Sequence, residues 1–308
     1  MSVYTAVAAD ELAAWLAPLG VGPLEKMAGI AAGMQNSNYF VTAGGRRWVL
    51  TLFEHLAPRE LDFYLALQEH LAGRGIPCPR PLADREGRLW RPLAGKPASL
   101  LSCLPGAGIE SPTPEHCRTL GALLADLHRA AADFPTPLAN PCGAAWRAAA
   151  GRALAPQLDP GERRCLLDEL AFQAAQDYSG LPRGIVHADL FRDNVLWLED
   201  GTLSGVLDFY FAGEDCLLYD LAVVANDWCP GDEHLRALLD GYAAWRRLDA
   251  REAPAWPALR RAAALRFWLL RLEVRHRPRA GEVVTVKDPG HFERLLQRLR
   301  LAPAGPPR

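Results

Sequence analysis

Apolar residues are spaced differently in the first third of the chain and in the rest. Short runs rich in β-branched and aromatic residues predict strands over 26–33, 37–43, 46–53, 88–93 and 97–104. The Gly44-Gly45 pair between two of these runs is typical of a tight β-hairpin. Apolar residues at helical spacing predict helices over 10–19, 57–73, 113–131, 143–155, 160–178, 216–227, 232–247, 254–276 and 287–301. The pattern therefore indicates an α+β fold whose strands gather at the front of the chain.

The change in pattern places a domain boundary at about residue 105. Leu104-Pro105-Gly106 interrupts the last strand run, because proline and glycine both end regular structure. We therefore predict a small strand-rich domain over 1–105 and a larger, mainly helical domain over 106–308. A short strand-containing segment, 184–208, lies inside the helical half.

The composition excludes several classes of protein. Half of the residues are hydrophobic, and 34 basic against 36 acidic residues leave a net charge of −2. This balance argues against nucleic-acid and membrane-surface partners, which favour basic proteins. Seven cysteines without a C-x-x-C pair, no basic residue before Lys26 and no long apolar run predict a reduced, soluble protein of the cytoplasm.

The segment 184–208 carries polar residues at a characteristic spacing. His187, Asp189 and Asn194 follow one apolar run, and Asp208 ends the next. A hairpin would bring the last three side chains to one point. An aspartate there can accept the proton of an attacking alcohol, whereas an amide oxygen and a second carboxylate suit Mg²⁺. This H-x-D-x-x-x-x-N spacing with a later aspartate is typical of phosphoryl-transfer enzymes with the protein-kinase-like fold.

This spacing predicts a role for each residue. We expect Asp189 to be the catalytic base or the group that positions the alcohol, and Asn194 and Asp208 to bind Mg²⁺. His187 is expected to orient the loop by hydrogen bonding. The chain has no G-x-x-x-x-G-K-[ST] loop, which argues against a P-loop kinase.

The segment resembles the catalytic loop of the aminoglycoside phosphotransferases and their relatives, which share the protein-kinase fold. Segments 33–39, 48–52 and 100–106 are similar, in the same order, to the nucleotide loop, third strand and hinge of that family. The resemblance implies ATP as the phosphoryl donor and a two-lobed fold. Its N-terminal lobe, 1–105, would bind nucleotide, and its C-terminal lobe, 106–308, would carry catalysis and substrate binding.

The same resemblance implies particular nucleotide contacts. Asn36, Ser37 and Asn38 fall in the nucleotide loop, and main-chain groups near Ser102 and Leu104 fall in the hinge that binds adenine.

Four later blocks, 208–213, 218–222, 226–229 and 281–289, resemble the bacterial homoserine kinases of this fold. Those enzymes phosphorylate the side-chain hydroxyl of L-homoserine to O-phospho-L-homoserine, on the route to threonine. The resemblance implies the same ATP-dependent activity for this chain, on a small-molecule substrate.

One position departs from the family pattern. Kinases of this fold usually carry a lysine or arginine on the third strand, which pairs with the nucleotide phosphates, and Thr51 occupies that position. Lys26 and Lys96 are the only lysines in the front domain, and neither has the right context. We expect the backbone amides and side chains around Asn36–Asn38 to contact the phosphates together with Mg²⁺.

A zwitterionic amino acid needs a cation for its carboxylate and an acid for its ammonium group. Arginine suits a carboxylate because its planar fork binds both oxygens. The predicted helix 254–276 carries Arg266 and Arg271, and we expect one of them to bind the carboxylate. Asp227, with Tyr210, is expected to face the ammonium group, and Asp220 to support the catalytic loop.

Two alternatives remain open at this stage. A kinase of the same fold could act on another small alcohol, such as choline, a methylthio-sugar or an aminoglycoside. A non-catalytic pseudokinase is favoured only by the missing lysine, and the intact Asp189, Asn194 and Asp208 oppose it.

Overall fold

The computed structural model describes residues 5–30, 36–276, 288 and 290–301. They divide into two compact units, and the division falls between Pro105 and Gly106. None of the helices in these residues combines the length and the apolar character that crossing a bilayer requires.

The first unit is built on an antiparallel sheet with strand order β1-β2-β3-β5-β4. Its elements are α1 (Ala9–Leu16), β1 (Leu24–Gly29), β2 (Asn36–Ala43), β3 (Arg46–Phe53), α2 (Pro58–Gly73), β4 (Arg91–Leu93) and β5 (Lys96–Ser102). Leu50 and Leu52 alternate along β3 and pack with Leu12 and Leu16 of α1 in one apolar cluster. The alternate residues of β3, including Thr51, lie on the opposite face of the sheet.

The predicted hairpin between β2 and β3 is present. Both Gly44 and Gly45 have positive φ, at 57° and 71°. This left-handed conformation closes a tight turn that matches the twist of the strands, and it favours glycine.

The second unit is mainly helical and contains two small antiparallel sheets. Its helices are α3 (Pro114–Ala130), α4 (Ala144–Leu154), α5 (Pro160–Ala174), α6 (Leu217–Trp228), α7 (Asp232–Tyr242), α8 (Glu252–His276) and α9 (Gly290–Leu301). Its strands are β6 (Arg183–Val186), β7 (Val195–Trp197), β8 (Leu203–Val206) and β9 (Gly213–Cys216). Helix α6 is almost entirely buried and runs through the centre of this unit.

The pairing of these strands differs in one respect from expectation. The predicted hairpin is β7 with β8, but β6 pairs with β9, which the sequence did not predict. Gly-Glu-Asp-Cys has no strand-like alternation, so only its partner makes it a strand. Several predicted ends also shift: the strand expected over 88–93 is confined to β4, and the helix expected over 160–178 ends at Ala174.

Parts of four predicted elements or motifs lie outside the described residues. These parts are 31–33 of the first strand, 33–35 of the nucleotide loop, 281–287 with 289 of the last family block, and 287 with 289 of the last helix.

Two glycines allow α3 and α7 to pack closely. A Cβ at Gly121 of α3 would lie 2.1 Å from the Leu238 carbonyl oxygen, and one at Gly241 of α7 would lie 2.0 Å from the Arg118 carbonyl oxygen. Both contacts are with backbone, which cannot rotate away. The absence of a side chain at these positions therefore sets the separation of the two helices.

We predict that Gly121→Ala destabilises the protein by about 1–3 kcal/mol, because the added methyl group forces the helices apart. The midpoint of urea unfolding measures this loss. Gly73→Ala is the matched control, since a Cβ at the end of α2 would meet nothing within 4 Å. The control should be at least as stable as wild type; equal stability of G121A would contradict the close packing.

Candidate active site

A single buried carboxylate anchors the loop that follows β6. Asp220, on α6, accepts the His187 N–H at Oδ2 and the Ala188 N–H at Oδ1, each at 2.7 Å. The His128 side chain, near the end of α3, contacts Oδ2 through Nε2 at 3.1 Å. Burial alone would raise the pKa of Asp220, but the interactions with His128 and His187 outweigh it and lower the pKa. The structure thus places Asp220 where an ionised carboxylate supports the loop.

The His187 ring is buried inside this loop. Nε2 donates to the Leu207 carbonyl at 2.9 Å, and Nδ1 accepts the Asp189 N–H at 3.2 Å. Burial lowers the pKa of His187, and these two bonds need one ring nitrogen with a proton and one without. His187 therefore links β8 to the catalytic loop as a neutral imidazole.

Asp189 and Asn194 are held together directly. The Asn194 Nδ2 donates to the Asp189 carbonyl at 2.8 Å and lies 3.3 Å from Oδ2 of the same residue. The main-chain carbonyl of Asn194 in turn accepts the Leu207 N–H at 2.8 Å. This bond brings Asn194 beside Asp208, the next residue after Leu207. The bonds to Asp189 use the side-chain nitrogen of Asn194 and not its side-chain oxygen.

The Asp208 carboxylate is reachable by solvent but crowded by protein. Poor hydration raises its pKa to about 6; the Tyr210 N–H and Arg266 oppose the rise, and the Asp193 carboxylate adds to it. An incompletely hydrated carboxylate with a second one nearby attracts a divalent cation. The amide oxygen of Asn194 and the carboxylate of Asp208 are hard oxygen donors, so the residues present fit such an ion.

Thr51 occupies the place expected for the phosphate-pairing lysine. It lies directly opposite Asn38 in the β2–β3 register, and its Oγ1 donates to the Asn38 Oδ1 at 2.8 Å. Thr51 is also buried. A neutral threonine–asparagine pair therefore fills this position.

The nearby basic residues of the first unit are engaged elsewhere. The Arg47 guanidinium stacks over the Phe40 ring at 3.8 Å, four residues before Thr51. Lys96 forms an ion pair with Glu54 at 3.0 Å. Neither takes the position of the missing lysine.

The residues expected to contact nucleotide differ in burial and in whether their polar groups already have partners. Asn36 is buried, and the Ser37 hydroxyl donates to Glu54 Oε1 at 2.7 Å while accepting the Thr5 N–H at 2.9 Å. In the hinge, the Ser102 N–H is donated to the Arg80 carbonyl at 2.9 Å. Within the described part of the chain, the Leu104 N–H has no main-chain partner.

The two arginines expected to bind substrate have different surroundings. Arg266 is fully buried, with Nη1 3.4 Å from the Asp189 Oδ1. Arg271 is partly exposed, donates to the Asp288 carbonyl at 2.7 Å and lies over the Phe292 ring at 4.3 Å. Burial lowers the pKa of Arg271, against the influence of Asp288, Asp227 and Asp193. Only Arg271 is accessible to a ligand from solution.

Asp227 is tied to the catalytic loop by a residue that the sequence analysis did not single out. Arg192 donates to Asp227 Oδ2 from its main-chain N at 2.9 Å and from Nε at 3.1 Å, and to Oδ1 from Nη2 at 3.2 Å. The sequence signal that could have identified Arg192 is its position in the same loop, three residues after Asp189. Nothing in the sequence marked His128 as the partner of Asp220, because 92 residues separate them.

Comparison with known proteins places these features in a family. The family model described as "Phosphotransferase enzyme family" matches residues 26–299. The homoserine kinase of Methylobacillus flagellatus is 46% identical over 303 residues, covering 96% of this chain and 95% of its own. The homoserine kinase of Polaromonas naphthalenivorans is 46% identical over 313 residues, covering 98% of each.

Solved structures show the fold. An amicoumacin kinase in complex with AMP-PNP and Ca²⁺ is similar with a TM-score of 0.68 and 15% identity, covering 95% of this chain and 92% of its own. A choline kinase from Streptococcus pneumoniae is similar with a TM-score of 0.67 and 13% identity, covering 95% and 99%. These similarities confirm the predicted α+β, protein-kinase-like fold.

The fold and the catalytic loop define a phosphoryl-transferring enzyme. The chain belongs to the phosphotransferase enzyme family. Its activity is that of an ATP-dependent kinase, and such enzymes use ATP with a divalent metal ion.

The buried, neutral His187 predicts a pH dependence of stability. Its pKa in the folded state is below the ordinary 6.5, so below pH 6.5 the unfolded chain binds a proton that the folded chain does not. We expect its contribution to stability to be present above pH 6.5 and to fall, by up to about 1.4 kcal/mol per pH unit, as the pH drops below that value.

Urea unfolding between pH 5 and pH 8 tests this. His187→Gln should remove this component of the slope, because glutamine does not titrate. His55→Gln, at an exposed position, is the control and should retain the wild-type slope. Identical slopes for wild type and H187Q would contradict a buried neutral imidazole.

Proposed function

We propose that this protein transfers the γ-phosphoryl group of ATP to the side-chain hydroxyl of L-homoserine, giving O-phospho-L-homoserine. The relatives at 43–46% identity over nearly the whole chain, which are named homoserine kinases, carry this proposal. The juxtaposition of Asp189, Asn194 and Asp208 supports it, because phosphoryl transfer needs a carboxylate for the alcohol and oxygen ligands for a metal ion.

In the proposed reaction, the homoserine hydroxyl oxygen forms a bond to the γ-phosphorus and the bond from that phosphorus to the β–γ bridging oxygen breaks. The hydroxyl proton passes to Asp189, and ADP leaves. Asn194 and Asp208 would hold Mg²⁺, which neutralises charge on the phosphates when bound. Asn194 also orients Asp189 through the bond to its carbonyl.

The nucleotide contacts are part of the proposal. Asn36, Ser37 and Asn38 are the first three residues of β2 and form the stretch expected to reach the phosphates. The Ser37 hydroxyl is engaged by Glu54 and the Asn38 Oδ1 by Thr51, so we assign the side-chain contacts to the amide N–H groups of the two asparagines. The Leu104 N–H, which has no main-chain partner among the described residues, is the one we assign to adenine, whereas that of Ser102 is already used.

For the amino-acid substrate, we assign the carboxylate to Arg271, which is the accessible one of the two candidate arginines. Asp227 and Tyr210 remain the predicted partners of the ammonium group. Since Arg192 engages both oxygens of Asp227, this carboxylate also has a role in holding the catalytic loop. A place in threonine biosynthesis and a cytoplasmic location accompany the proposed activity.

The activity itself is tested by measuring ATP consumption over a panel of alcohols: homoserine, serine, choline, a methylthio-sugar and an aminoglycoside. Homoserine should be the preferred acceptor, with O-phosphohomoserine as the product. Asp189→Asn should lower turnover about 10²–10⁴-fold because the proton acceptor is lost. Preference for another acceptor, or near-normal turnover of D189N, would overturn the proposal.

The assignment of Arg271 predicts a specific loss of affinity. Arg271→Ala should raise the KM for homoserine about 10–100-fold, since it removes a charge-assisted hydrogen bond, and leave the KM for ATP within about threefold. Turnover of homoserine amide, which lacks the carboxylate, should be little affected.

Arg275→Gln is the control, because that arginine lies one turn further along α8 and pairs with Glu162 at 3.0 Å. Its KM for homoserine should be that of wild type. An R271A variant with an unchanged KM, or one equally impaired on the amide, would show that Arg271 does not bind the carboxylate.

A further inference from the structure

Arg266 is a buried cation beside the proposed catalytic carboxylate. Its side chain is fully buried on α8, and Nη1 donates to the Ala188 carbonyl and lies 3.4 Å from Asp189 Oδ1. Among the described residues, Asp189 is its one ion-pair partner. Burying a guanidinium costs free energy that one carbonyl bond and one long ion-pair contact offset only in part, so stability alone is a poor reason for its presence.

The peptide that Arg266 contacts is conformationally unfavourable. Ala188 has φ of +64°, in the left-handed region that residues with a Cβ avoid. Its N–H is held by Asp220 Oδ1 at 2.7 Å, and its carbonyl is held by Arg266. Residues held in such conformations cluster at functional sites when their surroundings fix them. Asp220 and Arg266 therefore hold opposite sides of the residue that directs the chain into Asp189.

The surroundings of Arg266 also fix its orientation. The guanidinium carbon lies 4.5 Å from the centroid of the Phe211 ring and 4.2 Å from that of Phe267. These rings leave one edge of the planar group directed at Ala188 and Asp189. The Nε and Nη2 atoms are buried without a hydrogen-bond partner among the described residues. Both contacts with the loop are therefore made by one nitrogen, Nη1.

We propose that Arg266 is a positioning residue for phosphoryl transfer, which holds the Ala188 peptide in its left-handed form and keeps the Asp189 carboxylate aimed at the substrate hydroxyl. This inference rests on the proposed role of Asp189. A small misplacement of a reacting group lowers the rate of the chemical step, so the loss of Arg266 should slow phosphoryl transfer. A residue without solvent access does not contact substrate, so the effect falls on kcat rather than KM.

The test compares kcat and the KM values for homoserine and ATP of wild type and three variants of the full chain. Arg266→Met and Arg266→Gln remove the charged fork, and Arg266→Lys keeps a charged donor. We expect the two neutral variants to lower kcat at least about tenfold, because the Ala188 peptide and Asp189 lose their support. Both KM values should stay within about threefold of wild type, and R266K should restore kcat to within about threefold of wild type.

Arg260→Met is the matched control on α8. Its guanidinium bonds to Asn226 Oδ1 at 2.9 Å and lies over Trp256, and among the described residues none of its hydrogen bonds is with the catalytic loop. This variant should keep the wild-type kcat. Circular dichroism establishes that each variant is folded, and R266Q replaces R266M if the latter does not fold.

Two results would overturn the inference. A neutral variant that is folded but keeps the wild-type kcat would show that Arg266 only stabilises the structure. A raised KM for homoserine at unchanged kcat would show that it binds substrate. Failure of the proposed function is distinct, because it appears as normal turnover in D189N, whatever the Arg266 variants do.

Discussion

The hydrogen bonds to the Asp220 carboxylate are the interaction on which the second unit's chemistry depends. One buried side chain receives the N–H groups of His187 and Ala188 and the ring of His128. It therefore ties the catalytic loop to the buried helix α6 and to α3. A buried carboxylate is tolerated only when donors compensate for lost hydration, and here those donors belong to the loop itself. The buried carboxylate therefore depends on the loop for its hydrogen-bond donors, and the loop depends on the carboxylate for its position.

The pKa values of two aspartates in this site are shifted in opposite directions because their surroundings differ. Hydrogen-bond donors lower the pKa of Asp220, whereas poor hydration and the nearby Asp193 raise that of Asp208 to about 6. Both oxygens of Asp220 have partners inside the protein, whereas the charge of Asp208 is only partly compensated and suits a metal ion. The arginines divide in the same way: Arg266 faces inward to the loop, and Arg271 is accessible to a ligand.

The first unit carries an uncharged side chain at the third-strand position where the family resemblance predicts a charged one. Thr51 donates to the Asn38 Oδ1 across the β2–β3 pair, so each of these neutral side chains has the other as a partner. A lysine there would need a carboxylate or a phosphate as partner. Thr51 cannot supply the charge of a lysine, so in the proposed function the phosphate contacts are assigned to other groups.

The sequence by itself determined the features that depend on local spacing. The β2–β3 hairpin, most helices and the His187, Asp189, Asn194 and Asp208 set could be recognised because turn residues, helical periodicity and a short loop motif are properties of neighbouring residues. Tertiary structure alone decided what depends on distant partners. Strand β9 exists because β6 pairs with it, and His128 reaches Asp220 across 92 residues. From the sequence, Arg266 and Arg271 were equally good candidates on one helix. Packing buries Arg266 and leaves Arg271 partly exposed, because burial depends on which elements cover each face of α8.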